Sequence, residues 1–226
     1  MKLRLLFPIS FIILIFIIGC EPDPLTECKD LGDDLLTCEC ISELAIEKID
    51  TSLCEQCELK EVRNSCIADI AITTGDKSIC ENAGESKDYC LHTVIVNSRN
   101  HEHCSDISGE YWKDLCYTEF AKNLTNEGLC EKITNIVTRD ECFSFVAITK
   151  NYEDLCLKIE DPENKDLCIV RIAVTNTDIS ICDKVGNSVH KYGNCYQKIA
   201  RVTNDPEICP LIKNKTIREN CENLFK

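Results

Sequence analysis

The chain has 226 residues, 39 acidic against 25 basic, with a formal charge of −14, 19 cysteines and only 8 glycines. Nucleic acid and anionic lipid headgroups need clustered Lys and Arg, so this balance argues against both as partners. No nucleophile–base pair, Gly-rich phosphate loop or paired carboxylate repeats or stands apart, so the expectation is neither an enzyme nor a cofactor protein.

Residues 1–19 read as a signal peptide. Lys2 and Arg4 form a basic start, and Leu5 to Ile18 is apolar except for Pro8 and Ser10, the pattern of a secretion signal. The segment ends Ile17-Ile18-Gly19-Cys20, which resembles the lipobox of prokaryotic lipoproteins. That resemblance implies cleavage before Cys20, lipidation of Cys20, and a cell-membrane anchor with the chain facing outside the cytoplasm. Residues 20–27 would then be the lipidated cysteine and a short tether. The competing reading is an uncleaved transmembrane anchor, but the apolar run is shorter than the roughly 20 residues a spanning helix needs. Both readings place residues 21–226 outside the cytoplasm and tied to a membrane.

Without residues 1–19 the chain keeps 23 basic and 39 acidic side chains, a charge of −16. Eighteen cysteines besides Cys20 then sit in 207 residues. That density is near the level that marks a disulfide scaffold, and an even number in an exported chain favours full oxidation.

From Cys28 onward sixteen cysteines form a ladder: Cys28, Cys40, Cys54, Cys66, Cys80, Cys90, Cys104, Cys116, Cys130, Cys142, Cys156, Cys168, Cys182, Cys195, Cys209 and Cys221. The steps alternate between about 12 and 14, except for 10 at Cys80–Cys90 and 13 at Cys182–Cys195. A period near 26 predicts stacked small units over 28–226 rather than one shared core. Eight units begin at Cys28, Cys54, Cys80, Cys104, Cys130, Cys156, Cys182 and Cys209, the last truncated. We call the first cysteine of a unit its A cysteine and the second its B cysteine.

Four residues before the A cysteine stand Asp50, Asp76, Asn100, Asn126, Asp178 and Asp205, all helix N-cap residues. Asp205-Pro206 adds a proline suited to the first helical position. Apolar residues at −1 and +3, such as Leu129 and Ile133 or Leu155 and Ile159, share one face of a short helix A. Seven residues before the B cysteine come Asp33, Asn135, Asp161 and Asn214, the caps of a longer helix B. Beyond the B cysteine, offsets +1 and +4 are apolar or aromatic, and +5 is alanine in all units but the third among the first seven. Offsets 0, 1, 4 and 5 make a stripe wide enough to touch helices on two sides. Helix A of about two turns and helix B of about four turns predict an all-α, disulfide-clamped αα-hairpin solenoid.

Pairing A with B inside each unit uses every ladder cysteine, whereas pairing B with the next A strands Cys28 and Cys221. Parity favours the first scheme, with each bridge worth on the order of 3 kcal/mol in the chain-entropy model. Cys38 and Cys57 lie off the ladder. Position −2 projects about 160° from position 0 on a helix, so Cys38 faces a different neighbour from Cys40, and a Cys38–Cys57 bridge would staple unit one to unit two.

Rival chemistries have simpler explanations. Cys38-x-Cys40 with Cys54-x₂-Cys57 has the look of a four-thiolate zinc site, and Cys54-Glu55-Gln56-Cys57 that of a thioredoxin-type redox pair. Yet Cys40 and Cys54 keep the ladder phase, and nothing reads as the strand a redox pair needs. His101-Glu102-His103-Cys104, with His92 upstream, occurs in one unit only and reads as a solvated turn. The recurring steps Lys87-Asp88, Lys113-Asp114, Arg139-Asp140 and Lys165-Asp166 read as surface pairing on the first turn of helix B. Tyr111-Trp112 fits an exposed contact pair or a buried seam equally well.

In architecture the chain resembles the secreted cysteine-rich relatives of tetratricopeptide repeats, in which a disulfide ties each αα pair. Those repeats are longer and their internal motif is absent here. The resemblance implies a binding scaffold for a protein, peptide or glycan, and assigns no residue to it. The alternatives are a structural envelope lipoprotein without a ligand and, further off, a thiol- or metal-binding protein.

Overall fold

The computed structural model describes residues 23–226 apart from Ser188; the signal segment and Cys20 lie outside the described residues. Among the described residues the ordered elements are all helices, with no strand. They alternate short and long along the chain. The long B helices are Asp34–Lys48, Lys60–Thr74, Lys87–Ser98, Glu110–Leu124, Ile136–Lys150, Pro162–Asn176, a turn from His190 to Thr203, and Lys215–Asn223. Each of the first six packs against the next B helix, against its own A helix and against the A helix of the following unit. The result is a line of helical hairpins in which contacts reach only adjacent units.

Four A helices span six residues, near the two turns expected, and four span only four. They run Pro24–Lys29, Thr51–Cys54, Ile79–Asn82, His101–Asp106, Glu127–Cys130, Glu153–Lys158, Ile181–Lys184 and Pro206–Leu211, and five of these eight are 3₁₀. A cap closes the segment on one side. On the other, Ile107, Ile159 and Val185 turn extended, with ψ of 125–128°. So short a span suits i→i+3 bonding better than α-helical propagation.

The caps act as the sequence indicates. Asp50, Asp76, Asn100, Asn126, Asp178 and Asp205 each accept from the backbone N–H two residues on. Asp33, Asn135, Asp161 and Asn214 cap the B helices by accepting from the backbone N–H three residues on. Between units the chain reverses through one left-handed residue. Ile49, Arg99, Thr125, Asn151, Thr177 and Asn204 have φ of 51–57°, and Gly75 fills the same place at 71°. The next residue, which caps the following A helix, donates its N–H back to the +5 alanine carbonyl in five units, as from Asp50 to Ala45 and from Asn126 to Ala121. That is the six-to-one bond of a Schellman motif. The alanines themselves (Ala45, Ala71, Ala121, Ala147, Ala173 and Ala200) are 0 % exposed, so the smallness of the side chain lets neighbouring helices close over them.

Nine disulfides hold this line together. Eight join A to B within units: Cys28–Cys40, Cys54–Cys66, Cys80–Cys90, Cys104–Cys116, Cys130–Cys142, Cys156–Cys168, Cys182–Cys195 and Cys209–Cys221, with Cα atoms 5.4–5.8 Å apart. The ninth, Cys38–Cys57, joins unit one to unit two. The two irregular steps are absorbed locally. In unit three the B helix starts at Lys87, straight after the 3₁₀ turn Gly84–Ser86, which removes the missing residues from its first turn. In unit seven a π-helical stretch, His190–Tyr196, takes up the extra residue before Gln197–Thr203 continues as α-helix. Cys195 therefore stays beneath Cys182.

Candidate functional site

The basic-acidic step before the B cysteine is half surface and half core, which corrects the surface-pairing expectation. Asp114, Asp140 and Asp166 are only 4 %, 2 % and 6 % exposed. Each carboxylate accepts two consecutive backbone N–H groups of the next unit. Asp114 takes those of Thr134 and Asn135 at 2.8 Å each. Asp140 takes Glu160 and Asp161 at 3.0 and 2.9 Å, and Asp166 takes Gly186 and Asn187 at 2.9 and 2.7 Å. Asp88 holds Ser108 and Gly109 likewise. The extended stretch after each A helix leaves these donors without a backbone acceptor, and one carboxylate satisfies both. The basic half stays outside: Arg139 reaches Glu160 at 2.5 Å and Lys87 reaches Glu81 at 2.6 Å.

Cys38 occupies the same place in unit one, two residues before its B cysteine. Its bond to Cys57 and the aspartate clamps are two chemical answers to one need, the fastening of units one, three, four, five and six to their successors. The four cysteines of the zinc-like and redox-like readings are thus all in bridges, Cys40 with Cys28 and Cys54 with Cys66. The histidines diverge. His101 packs edge-on against Phe120 at 5.9 Å. His103 Nδ1 lies 3.1 Å from Asp106 and 2.9 Å from Lys77 Nζ. His92 is buried against Trp112 with ring centroids 5.3 Å apart, and burial lowers its pKa despite Glu119 nearby. Among the described residues no three His, Cys, Asp or Glu side chains gather as a metal would require. The Tyr111-Trp112 pair divides: Trp112 packs across to Tyr89 of unit three at 5.4 Å, while Tyr111 is 70 % exposed.

The outward face of the B helices carries what remains. A groove of about 790 Å³ runs along units four to seven, with Phe145, Ile148 and Val174 on its floor and Lys122, Arg171 and Lys198 beside them. Phe145 is 42 % exposed, and Lys122 Nζ stands 5.6 Å from its ring. Asp140 and Glu141 also line the groove, but Asp140 is committed to its backbone clamp. A smaller cavity of about 520 Å³ lies between units six and seven, where Glu163, Lys165, Lys184 and His190 surround the clamp of Asp166; its charges are mixed and partly spent on each other.

Phe145, Arg171 and Lys198 share one register position, three residues after the B cysteine. Followed along the chain, that position holds Glu43, Asp69, Thr93, Glu119, Phe145, Arg171 and Lys198. The row changes sign from acidic to basic. Among the described residues Glu43, Asp69, Arg171 and Lys198 form no ion pair. Sequence reasoning passed over this row because it concentrated on offsets that recur; the informative offset is the one that changes. No family model matches the chain, and no curated protein or solved structure is significantly similar to it.

Proposed function

We propose that the protein is a membrane-anchored, extracytoplasmic binding scaffold whose contact surface is the outer face of the B helices in units four to seven. One observation carries this reading: an acidic chain exposes Phe145 in a groove flanked by three cations, Lys122, Arg171 and Lys198. An exposed aromatic ring with cations around it offers a partner apolar burial and charge complementarity together. Anchoring is read from the lipobox resemblance at Cys20, and the nine bridges support an oxidising compartment. Labelled fatty acid should enter the wild-type protein and not Cys20→Ala. In affinity capture from envelope extract, one partner should be retained by wild type and by Tyr111→Ala but lost by Phe145→Ala.

A second reading, a structural envelope lipoprotein without a ligand, draws on the bridges and aspartate clamps, which favour durability. Capture that gives the same proteins with wild type and Phe145→Ala would favour it. The eighteen described cysteines are all bridged, which lends no support to thiol or metal storage.

A further inference from the structure

We infer that the B-helix face binds a second copy of this chain in antiparallel orientation, an inference that rests on the interaction-face reading above. A two-fold pair requires a patch that complements itself when reversed. Reversing the +3 row about unit four sets Glu43 opposite Lys198 of the second copy and Asp69 opposite Arg171. It also sets Phe145 opposite Thr93, whose methyl group offers an apolar contact. Glu119 meets its own counterpart at the centre, where Lys122 one turn further on supplies the opposite charge.

The two ends of the face reinforce this polarity. Glu39, Glu43 and Glu47 stand on successive turns of the first B helix, all exposed. Like charges at that spacing destabilise a helix unless something answers them. At the other end Lys198 and Arg201 are exposed on unit seven. Burial pushes the Asp69 carboxyl above its ordinary pKa, and no described cation pairs with it. A parallel pair would align acid with acid and base with base. An acidic peptide would answer Arg171 and Lys198 but leave the glutamates and Asp69 unmatched. Only a reversed copy uses both ends.

Sedimentation of the full-length protein in mild detergent at low ionic strength tests this. Wild type should be a dimer that dissociates with added salt, because exposed pairs are screened over about 10 Å at 0.1 M. Glu43→Lys with Asp69→Arg makes all four charges at the ends of the row basic; Arg171→Asp with Lys198→Glu makes all four acidic. Each double variant alone should dimerise about a hundredfold more weakly, since like charges then face each other. Mixed one to one, the two should form a heterodimer. Restoration on mixing also shows that both variants remain folded. A monomeric wild type, or variants that dimerise as well as wild type, would overturn the inference. The binding-scaffold reading falls separately, if capture is indifferent to Phe145→Ala.

Discussion

Asp140 and Asp161 are joined across a unit boundary: a carboxylate oxygen of the first accepts the backbone N–H of the second at 2.9 Å. Asp161 then uses its own side chain to accept the N–H of Asn164 at 2.8 Å and cap helix B of unit six. One buried acid thus positions the residue that starts the next long helix. Replacing Asp140 by Ala leaves two N–H groups without their acceptor and should cost about 2–4 kcal/mol. Asp140→Asn keeps one acceptor oxygen and should cost about half as much. Urea unfolding gives the magnitudes, and native-state hydrogen exchange should show faster exchange at Glu160 and Asp161 in the Ala variant.

Gly109 and Gly186 make a matched pair for the same clamps. A Cβ on Gly109 would lie 2.5 Å from Asp88 Oδ2, whereas one on Gly186 would lie 3.6 Å from Asp166 Oδ1, an ordinary contact. Gly109→Ala should therefore lower stability by about 1–3 kcal/mol through overpacking. Gly186→Ala should stay within about 0.5 kcal/mol of wild type. Thermal unfolding of the two variants side by side decides it.

The left-handed residues between units offer stabilising changes. Ile49 and Thr177 are β-branched at φ 54° and 53°, where a Cβ crowds the following carbonyl. Ile49→Gly and Thr177→Gly should each raise stability by about 1 kcal/mol, and Gly75→Ala should lower it by a similar amount. Denaturant midpoints measured with the bridges intact give the sign directly.

Reduction should be far more damaging than any of these changes. Removing Cys104–Cys116 as a Ser pair should cost about 3 kcal/mol. Full reduction should abolish the cooperative transition, because A helices of 4–6 residues have no stability of their own. Circular dichroism melts with and without reductant test both.

Acid should weaken the fold in two steps. His92 is held neutral by burial, with a folded pKa below its ordinary 6.5, although Glu119 pulls the other way. The unfolded chain then takes up that proton first, so stability falls as pH drops below about 6.5. His92→Phe should remove this slope in urea midpoints compared between pH 7.5 and 5.5. At lower pH, Asp50, Asp76 and Asp178, whose pKa values are lowered chiefly by Ser52, Ser78 and Ser180 hydroxyls, lose their charge and act in the same direction.

The recurring features were legible in the sequence because each has a local cause. Cap residues announce themselves by type and offset, the +5 alanines by their recurrence, and the bridges by parity. What escaped was long-range. Asp140 looks like any first-turn acid until the chain 20 and 21 residues further on brings the N–H groups of Glu160 and Asp161 to it. The 3₁₀ geometry of five A helices was also hidden, since it follows from the short span left between a cap and the point where the chain leaves the helix. The +3 row was present all along as letters, and only the stacking of units made those letters one surface.

The bridges 28–40, 38–57 and 54–66 overlap along the chain. Residues 28–66 are therefore one continuous crosslinked block, while every later bridge closes an isolated loop. A tensile load entering at the amino end would travel through sulfur bonds across the first two hairpins before it met an interface with no covalent link. Mechanical rupture would begin further along, beyond the strongest link.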